Sequence, residues 1–459
     1  PAFVGISVLI DQRSHRSSTP TAAVERARLL DHGNPKPTLR TQSCSTSNCH
    51  GSLTPEPRPD AIRSDEYFVW LEDPHAQAYR TLFGERSRAI FQRLGVADDR
   101  LQPLAGQQER FANYRDSCLG CHETNHQLAL TRSHTDHVSL PAAEGVSCES
   151  CHGGGPGWLE GHYRSDWKSD GDTSRGHLAE VEVDKCVDCH VGNRGADVNH
   201  DLIAAGHPAM RFEYVWYKSR LPRHWRPDRR EAIERNRNGL DQQPPPQPQA
   251  PALLAQDWLI GQLVSTGAAL DQLERRARNL QQQGWLELAE FNCTACHNDL
   301  TGTAPRRGPN ATKRLVANRK ASTPMPWGNW NLELIPFLAD QYDSPESREF
   351  SQAFVALRDA VIAGRHSTGD EIAAQSQATR SKLDAWTRQV SSATDAKALQ
   401  LLQQIGRNAP EDLFKSWDQT ANLVLGFAAP YRFSTTAPET IKNAMNRVLL
   451  PKTPVVFDS

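Results

Sequence analysis

The sequence predicts a mainly α-helical protein with little regular sheet, and three observations indicate this class. Residues 253–283 form a long amphipathic stretch with apolar residues at helical spacing. The region 344–459 shows several more helical segments, one of which begins at Ser344-Pro345-Glu346. No segment shows the sustained alternation of apolar and polar residues that is typical of strands.

Further helices are predicted at several other positions along the chain. A short helix is predicted over 21–30, and another where Asp73 can cap a first turn that contains Pro74. Gly95 follows the last apolar residue of that second pattern, so one helix is predicted over 74–94. Further helices are expected near 286–297 and after Asn408-Ala409-Pro410-Glu411.

Composition limits the classes of protein that fit. The length of 459 residues suffices for two or three domains, and the apolar content of 38% is modest for that length. A formal net charge of −2 with interspersed signs argues against a nucleic-acid partner.

The ten cysteines form five pairs, and a histidine follows the second cysteine of every pair. The motifs are Cys44/Cys49/His50, Cys118/Cys121/His122, Cys148/Cys151/His152, Cys186/Cys189/His190 and Cys293/Cys296/His297. In Cys-x-x-Cys-His the two thiols attach to the two haem vinyl groups and the adjacent histidine becomes an axial ligand of the iron. The pattern therefore predicts five covalently bound haem c groups.

The first motif differs from the others because its spacer has four residues, Cys44-Ser-Thr-Ser-Asn-Cys49-His50. A longer spacer can still reach both vinyl groups if it loops out. A disulfide between Cys44 and Cys49 is the alternative for this pair. Structural zinc or a thioredoxin-like redox pair are alternatives for single motifs, but neither requires a histidine after every pair.

Each iron needs a second axial ligand unless it binds a substrate. Twelve histidines remain for this role, at positions 15, 32, 75, 126, 134, 137, 162, 177, 200, 207, 224 and 366. Five of them would suffice for two histidines on every iron. Methionine is a weaker candidate because the chain has only three.

Part of the sequence resembles a known family. The block Gly145-Val-Ser-Cys148-Glu-Ser-Cys151-His152-Gly153, with Gly161-His162-Tyr-Arg164 after it, is similar to the tetrahaem cytochromes of the cytochrome c-554 type. The segment Asp73-Pro74-His75-Ala76-Gln77-Ala78-Tyr79 looks like the histidine segment that follows the first haem in that family. The resemblance covers about 43–210, within a superfamily that includes hydroxylamine oxidoreductase and pentahaem nitrite reductase.

The resemblance implies some of the second ligands. By it, His162 would bind the iron at Cys44/Cys49, and His75 the iron at Cys148/Cys151. His200 and His207 are the candidates for the irons at Cys186/Cys189 and Cys293/Cys296, without a choice between them. The alternative for one of these two is a hydrogen-bonding role beside the iron.

The haem at Cys118/Cys121 is left open. Its counterpart in the resembled family is five-coordinate, whereas this sequence offers His126, His134 and His137 nearby. Any of these could complete the coordination of the iron, or all three could lie on a surface loop.

The predicted organisation has five parts. They are an N-terminal arm at 1–41, a tetrahaem c-554-like core at 42–241, a Pro/Gln linker at 242–252, a fifth-haem helical segment at 253–343 and a haem-free helical region at 344–459. The apolar run at 1–10 is either the end of a signal or anchor helix or a short core element. Haem is attached to such motifs outside the cytoplasmic membrane, so a periplasmic or other exported location is expected, with or without a membrane anchor.

The sequence favours electron transport over catalysis, and no catalytic residue is predicted. The expected partners are redox proteins, and an oligomer or complex fits the haem-free region. One alternative is an enzyme that acts on a small nitrogen or sulfur compound at a five-coordinate haem. Another is a subunit of a membrane electron-transfer complex or a conducting filament. A Cys-x-x-Cys-Lys motif, typical of a nitrite reductase catalytic haem, does not occur.

Overall fold

The computed structural model confirms the mainly α-helical class. It describes residues 41–53, 65–124, 144–153, 155, 159, 179–192, 197–222, 251–280, 286–291, 327–363, 367–393, 396–408 and 417–431. These residues are 71% helical and contain no strand or sheet. Their extended pairing is limited to two isolated bridges, between Ala97 and Pro103 and between Phe291 and Trp327.

The first part of the chain forms short helices that alternate with turns. They are α1 (Thr41–Cys44), α2 (Glu66–Leu71), a 3₁₀ turn (Pro74–Gln77), α3 (Ala78–Thr81), α4 (Glu85–Arg93), α5 (Gln108–His122), α6 (Cys148–His152), α7 (Ala179–His190), α8 (His200–Ala205) and α9 (Tyr214–Arg220).

The second part forms longer helices. They are α10 (Pro251–Arg278), a 3₁₀ turn (Leu288–Glu290), α11 (Ile335–Tyr342), α12 (Pro345–Ala363), α13 (Gly369–Ser392), α14 (Ala396–Asn408), α15 (Trp417–Ala428) and a final 3₁₀ turn (Ala429–Tyr431).

The main hydrophobic core surrounds α10. This helix packs against α13, α7 and α14, and its Trp258, Leu263 and Leu270 are fully buried. A helix with neighbours on several sides is apolar around most of its circumference. The side chains that meet it include Trp386 of α13.

One helix of the motif-bearing part belongs to this same core. Val183 and Val187 of α7 and Val191 just after it recur every four residues and are buried in the cluster around α10. The core therefore contains residues from the ranges 42–241, 253–343 and 344–459 together. By contrast, the described residues between 41 and 153 bury few apolar side chains, and these form small clusters around Ile90 and Phe91.

The predicted single helix over 74–94 is wrong, because the chain forms three separate pieces there. Asp73 does act as the cap, since its side chain accepts a hydrogen bond from the backbone N–H of His75 at 2.9 Å. The helix is interrupted because Thr81 Oγ1 donates to Ala78 O and Ser87 Oγ donates to Thr81 O. Side chains that bond to nearby backbone carbonyls compete with helical hydrogen bonds. Gly84 is extended and is the residue immediately before α4.

Other predicted elements are confirmed. Helix α12 begins at Pro345, and the Oγ of Ser344 accepts from the backbone N–H of Ser347. Helix α10 occupies most of the amphipathic stretch 253–283. The predicted helix over 21–30, the N-terminal run 1–10 and the start after 408 lie outside the described residues. In the described part of the chain, no helix has both the length and the apolar content needed to span a membrane.

Candidate haem sites

Three of the motifs lie at the ends of helices. Helices α5, α6 and α7 end at His122, His152 and His190, so each histidine closes the turn that contains its two cysteines. A helical turn brings residues three apart onto the same side, which places both thiols of Cys-x-x-Cys together. These three motifs therefore have the local geometry that thioether attachment requires.

The first motif reaches a similar arrangement through a loop. Helix α1 ends at Cys44, and the backbone N–H of Cys49 donates to Thr46 O at 2.9 Å. The N–H of His50 returns to Cys44 O at 3.1 Å. The longer spacer is thus folded out as a turn while His50 stays next to Cys44. No disulfide joins any of the described cysteines, this pair included.

Cysteines from different motifs contact each other in two pairs. The thiols of Cys44 and Cys148 are hydrogen-bond partners, which lowers the pKa of Cys44 to about 7 and raises the pKa of Cys148. The thiols of Cys121 and Cys189 are likewise hydrogen-bond partners, which lowers the pKa of Cys121 and raises that of Cys189. In a haem-bearing chain these four sulfurs are thioethers, so the contacts show which attachment points are neighbours.

In two of the motif histidines the ring nitrogen Nδ1 has a hydrogen-bonding partner. His50 Nδ1 lies 3.0 Å from Glu66 Oε2, and His122 Nδ1 lies 2.9 Å from Ala78 O. A donating Nδ1–H leaves the lone pair on Nε2, which is the nitrogen that binds a metal in this tautomer. Both partners therefore leave Nε2 of the imidazole available to bind iron.

Two histidines outside the motifs are held in the same way. His75 Nδ1 lies 3.0 Å from Asp73 Oδ1, and Asp73 is only 5% exposed. His207 Nδ1 lies 2.9 Å from Pro208 O. Both histidines were predicted as iron ligands, and both have the Nδ1 partner that such ligands usually have.

The backbone next to His75 also joins the third motif. Val146 N–H donates to His75 O at 2.9 Å, two residues before Cys148. Gly145 has φ +74°, and a Cβ there would lie 2.6 Å from His75 O. Only glycine combines this backbone conformation with so close an approach. The turn therefore seats the segment before Cys148 on the His75 segment.

His190 lies among aromatic rings. Its imidazole stacks on Phe212 with centroids 5.3 Å apart and meets the edge of Tyr217 at 5.0 Å. The ring of His75 lies 6.0 Å away at an interplanar angle of 79°. Burial, followed by the charges of His75 and His122, lowers the pKa of His190 to about 4. The neutral form, which can bind iron, therefore prevails at neutral pH.

His207 lies in the electrostatic field of His122. Burial lowers the pKa of His207, and the hydrogen bond to Pro208 opposes this effect. The charges of His122 and Arg86 lower the pKa further. His200 begins α8, and its backbone N–H donates to Glu287 Oε1 at 2.9 Å. His207, one of the pair predicted from the stretch 199–208, therefore lies close enough to the motif histidine His122 for its charge to act on the ring.

The residues present fit haem c. Paired thiols adjoin each described motif histidine, and the Nδ1 partners direct Nε2 towards a metal. Among the described residues, no three His, Cys, Asp or Glu side chains converge as a metal-ion cluster. A haem needs only one or two imidazoles for each iron, because the porphyrin supplies the other ligands.

Some predicted residues lie outside the described part of the chain. They are Cys293, Cys296 and His297 of the fifth motif, His162, and the three candidates His126, His134 and His137. The sequence did not single out Glu66, Phe212 or Tyr217 as surroundings of a haem histidine. It identified Asp73 as a helix cap, and the spacing Asp-Pro-His is the signal that could have suggested its contact with the His75 ring.

Part of the chain matches the model of a known protein family. Residues 43–153, which contain the first three motifs, match the family described as cytochrome c554 and c-prime. No curated protein and no solved structure matches the chain. The family match supports a c-type cytochrome, implies covalently bound haem c and suggests haem-based electron transfer. Cytochromes of this kind are typically periplasmic or extracellular.

Proposed function

We propose that this chain is an exported pentahaem c-type cytochrome that relays electrons between redox proteins through histidine-ligated haems. The coarser part of this proposal, a c-type cytochrome with covalent haem, follows from the family match over 43–153. The number of haems, their ligation by two histidines and the exported location are the further steps.

The observation that carries the proposal is the contact between cysteines of different motifs. Cys44 adjoins Cys148, and Cys121 adjoins Cys189. A thioether sulfur is bonded to the edge of its own haem, so neighbouring sulfurs require two haems at short separation. A catalytic haem needs space for a substrate beside the iron, whereas an electron carrier needs short distances between haems.

The chain's own residues would fix each iron ligand and its electronic properties. Bound haem supplies an iron that cycles between the ferric and ferrous states. Glu66 and Asp73 present carboxylates to His50 and His75, whereas His122 and His207 face backbone carbonyls. A negative partner strengthens donation from the imidazole to the metal and favours the ferric state. The chain thus contains two kinds of histidine environment, which should separate the reduction potentials.

Five haems are proposed because the fifth motif repeats the pattern of the others. Its segment approaches the motif-bearing part through Glu290, which Arg276 bonds at 2.6 Å in a network with Asp197. Asp197 follows the fourth motif, and Glu290 precedes Cys293 by three residues. This contact supports a fifth haem near the fourth.

The first test is the mass of the intact chain after export in a host that attaches haem c. Five added haems are expected, and the Cys293→Ala/Cys296→Ala variant should carry one fewer. A wild-type chain without covalent haem, or with zinc in its place, would refute the proposal.

The second test separates a relay from an enzyme. Low-temperature EPR of the oxidised protein should show only low-spin haem, and the reduced protein should not take up carbon monoxide. A high-spin signal with carbon monoxide uptake would contradict complete histidine ligation and favour the enzyme alternative.

A further inference from the structure

His75 and His190 come from different parts of the chain, yet their imidazole rings lie next to each other. The ring centroids are 6.0 Å apart and the ring planes are inclined by 79°. His190 closes the fourth motif at the end of α7, and His75 lies on the 3₁₀ turn Pro74–Gln77. The resemblance to the c-554 type would instead assign His75 to the iron at Cys148/Cys151.

We propose that His75 and His190 are the two axial ligands of one haem iron, the one attached at Cys186 and Cys189. This inference rests on the proposed function, because it presumes that the fourth motif bears a haem.

The separation of the rings fits a shared metal ion. With metal–nitrogen bonds of about 2 Å and ring nitrogens about 1 Å from the ring centre, two imidazoles on opposite sides of one metal have centroids roughly 6 Å apart. The observed 6.0 Å agrees with this span. It exceeds the 5.3 Å at which His190 stacks on Phe212.

Each ring is fixed by its own surroundings. Asp73, itself buried, holds His75 through the ring Nδ1 at 3.0 Å and through the backbone N–H at 2.9 Å. Phe212 covers one face of His190, and Tyr217 meets that ring edge-on. Two imidazoles held in this way can take up a metal with little loss of side-chain freedom.

The contacts of His75 also account for the difference from the resemblance. The backbone carbonyl of His75 accepts from Val146, next to the third motif, while the ring meets His190 of the fourth. The segment is therefore adjacent to both motifs. The side chain, which is the part that binds iron, serves the fourth.

The test compares His75→Gly in three backgrounds by low-temperature EPR of the oxidised protein. In the otherwise wild-type chain, one haem should change from low-spin to high-spin, and added imidazole should restore the low-spin signal. Nearly perpendicular imidazole planes also predict that the lost signal is of the highly anisotropic low-spin type. Asp343→Gly serves as the control and should leave the spectrum unchanged, because Asp343 is exposed and has a positive φ of 51° that glycine adopts readily.

The two other backgrounds identify which haem loses its axial ligand in His75→Gly. In a Cys148→Ala/Cys151→Ala chain, His75→Gly should still add a high-spin signal. In a Cys186→Ala/Cys189→Ala chain it should add none, because the affected haem is already absent. The opposite pattern would overturn the assignment while leaving the proposed function intact.

If the Cys186→Ala/Cys189→Ala chain does not fold, the Cys148→Ala/Cys151→Ala chain decides alone. A new high-spin signal there supports the assignment, and an unchanged spectrum overturns it. Absence of covalent haem from the wild-type chain would overturn the proposed function, and this inference with it.

Discussion

The side chains of Cys44 and Cys148 hydrogen-bond to one another, although they belong to the first and third motifs of the sequence. Cys121 and Cys189 repeat this relationship between the second and fourth motifs. The four described motifs are therefore arranged as two pairs, and neighbours in space alternate along the chain.

This pairing predicts which haem changes its reduction potential when another haem is removed. Replacing Cys44 and Cys49 by alanine should change the EPR signal and the reduction potential of the haem at Cys148/Cys151, because a neighbouring charged group is lost. The haem at Cys118/Cys121 should change much less. Potentiometric titration with EPR detection measures both effects. A larger response at Cys118/Cys121 would contradict the pairing.

The carboxylate beside His50 should lower the potential of the first haem. Glu66→Gln keeps an acceptor near Nδ1 but removes the negative charge, so the ferrous state should become relatively more favourable. We expect the potential to rise by about 40–60 mV, which corresponds to ~1 kcal/mol for a one-electron couple. Glu109→Gln makes the same charge change at an exposed site and is the control. Equal shifts in both variants would mean that the contact with His50 has no special effect.

Arg276 should be required for stability. Its guanidinium bonds Glu290, which is 0% exposed, and also Asp197. Arg276→Met would leave the buried carboxylate without its cation, which should reduce the free energy of unfolding by about 3–5 kcal/mol. Urea titration followed by circular dichroism measures the loss.

A double variant and a control sharpen this prediction. Arg276→Met/Glu290→Gln should recover part of the loss, since the buried charge is gone. Arg278→Met removes an exposed arginine paired with Glu274 at 2.7 Å and should cost less than about 1 kcal/mol. Similar losses for the Arg276 and Arg278 variants would contradict the importance of the buried network.

Asp418 should make stability depend on pH. Burial raises its pKa from 3.8 to about 6, against the opposing effect of Arg211 at 3.5 Å. The folded state therefore binds more protons than the unfolded state between these two values, so the free energy of unfolding falls as pH rises from 4 to 7.

Asp418→Asn should remove that dependence. At pH 7 the variant should be more stable than the wild type by about 1–3 kcal/mol, and the difference should vanish below about pH 4. Thermal unfolding at several pH values measures this. Asp359→Asn changes an exposed aspartate that pairs with Arg358 and should have little effect at any pH. A loss of stability in Asp418→Asn at pH 7 would show that the ion pair with Arg211 outweighs the cost of burial.

The helical class and the motif positions could be predicted because they depend on local sequence. Ser344 before Pro345 marks the start of a helix because its hydroxyl accepts from the backbone N–H of Ser347. Each motif histidine directly follows the second cysteine of its pair. The break before Gly84 was missed because the apolar spacing continues through it. It depends on hydroxyls of Thr81 and Ser87 that bond to backbone carbonyls.

The surroundings of the haem histidines could be predicted only in part. Asp73 is two residues from His75 and signals its cap, but Glu66 reaches His50 only once α2 has packed beside the first motif. The contact between His75 and His190 depends on how two distant segments meet. Such contacts arise from tertiary packing, and no local pattern encodes them.

Helix α7 has a consequence for the order in which the protein is made. Its valines pack into the core around α10, and α10 in turn packs against α13, which is synthesised much later. In the exported chain that we propose, α7 emerges before the helices that cover its apolar face. We expect the fourth attachment site to reach its final form only after most of the chain has emerged. The haem-free helices would then set the time at which the redox centre is complete.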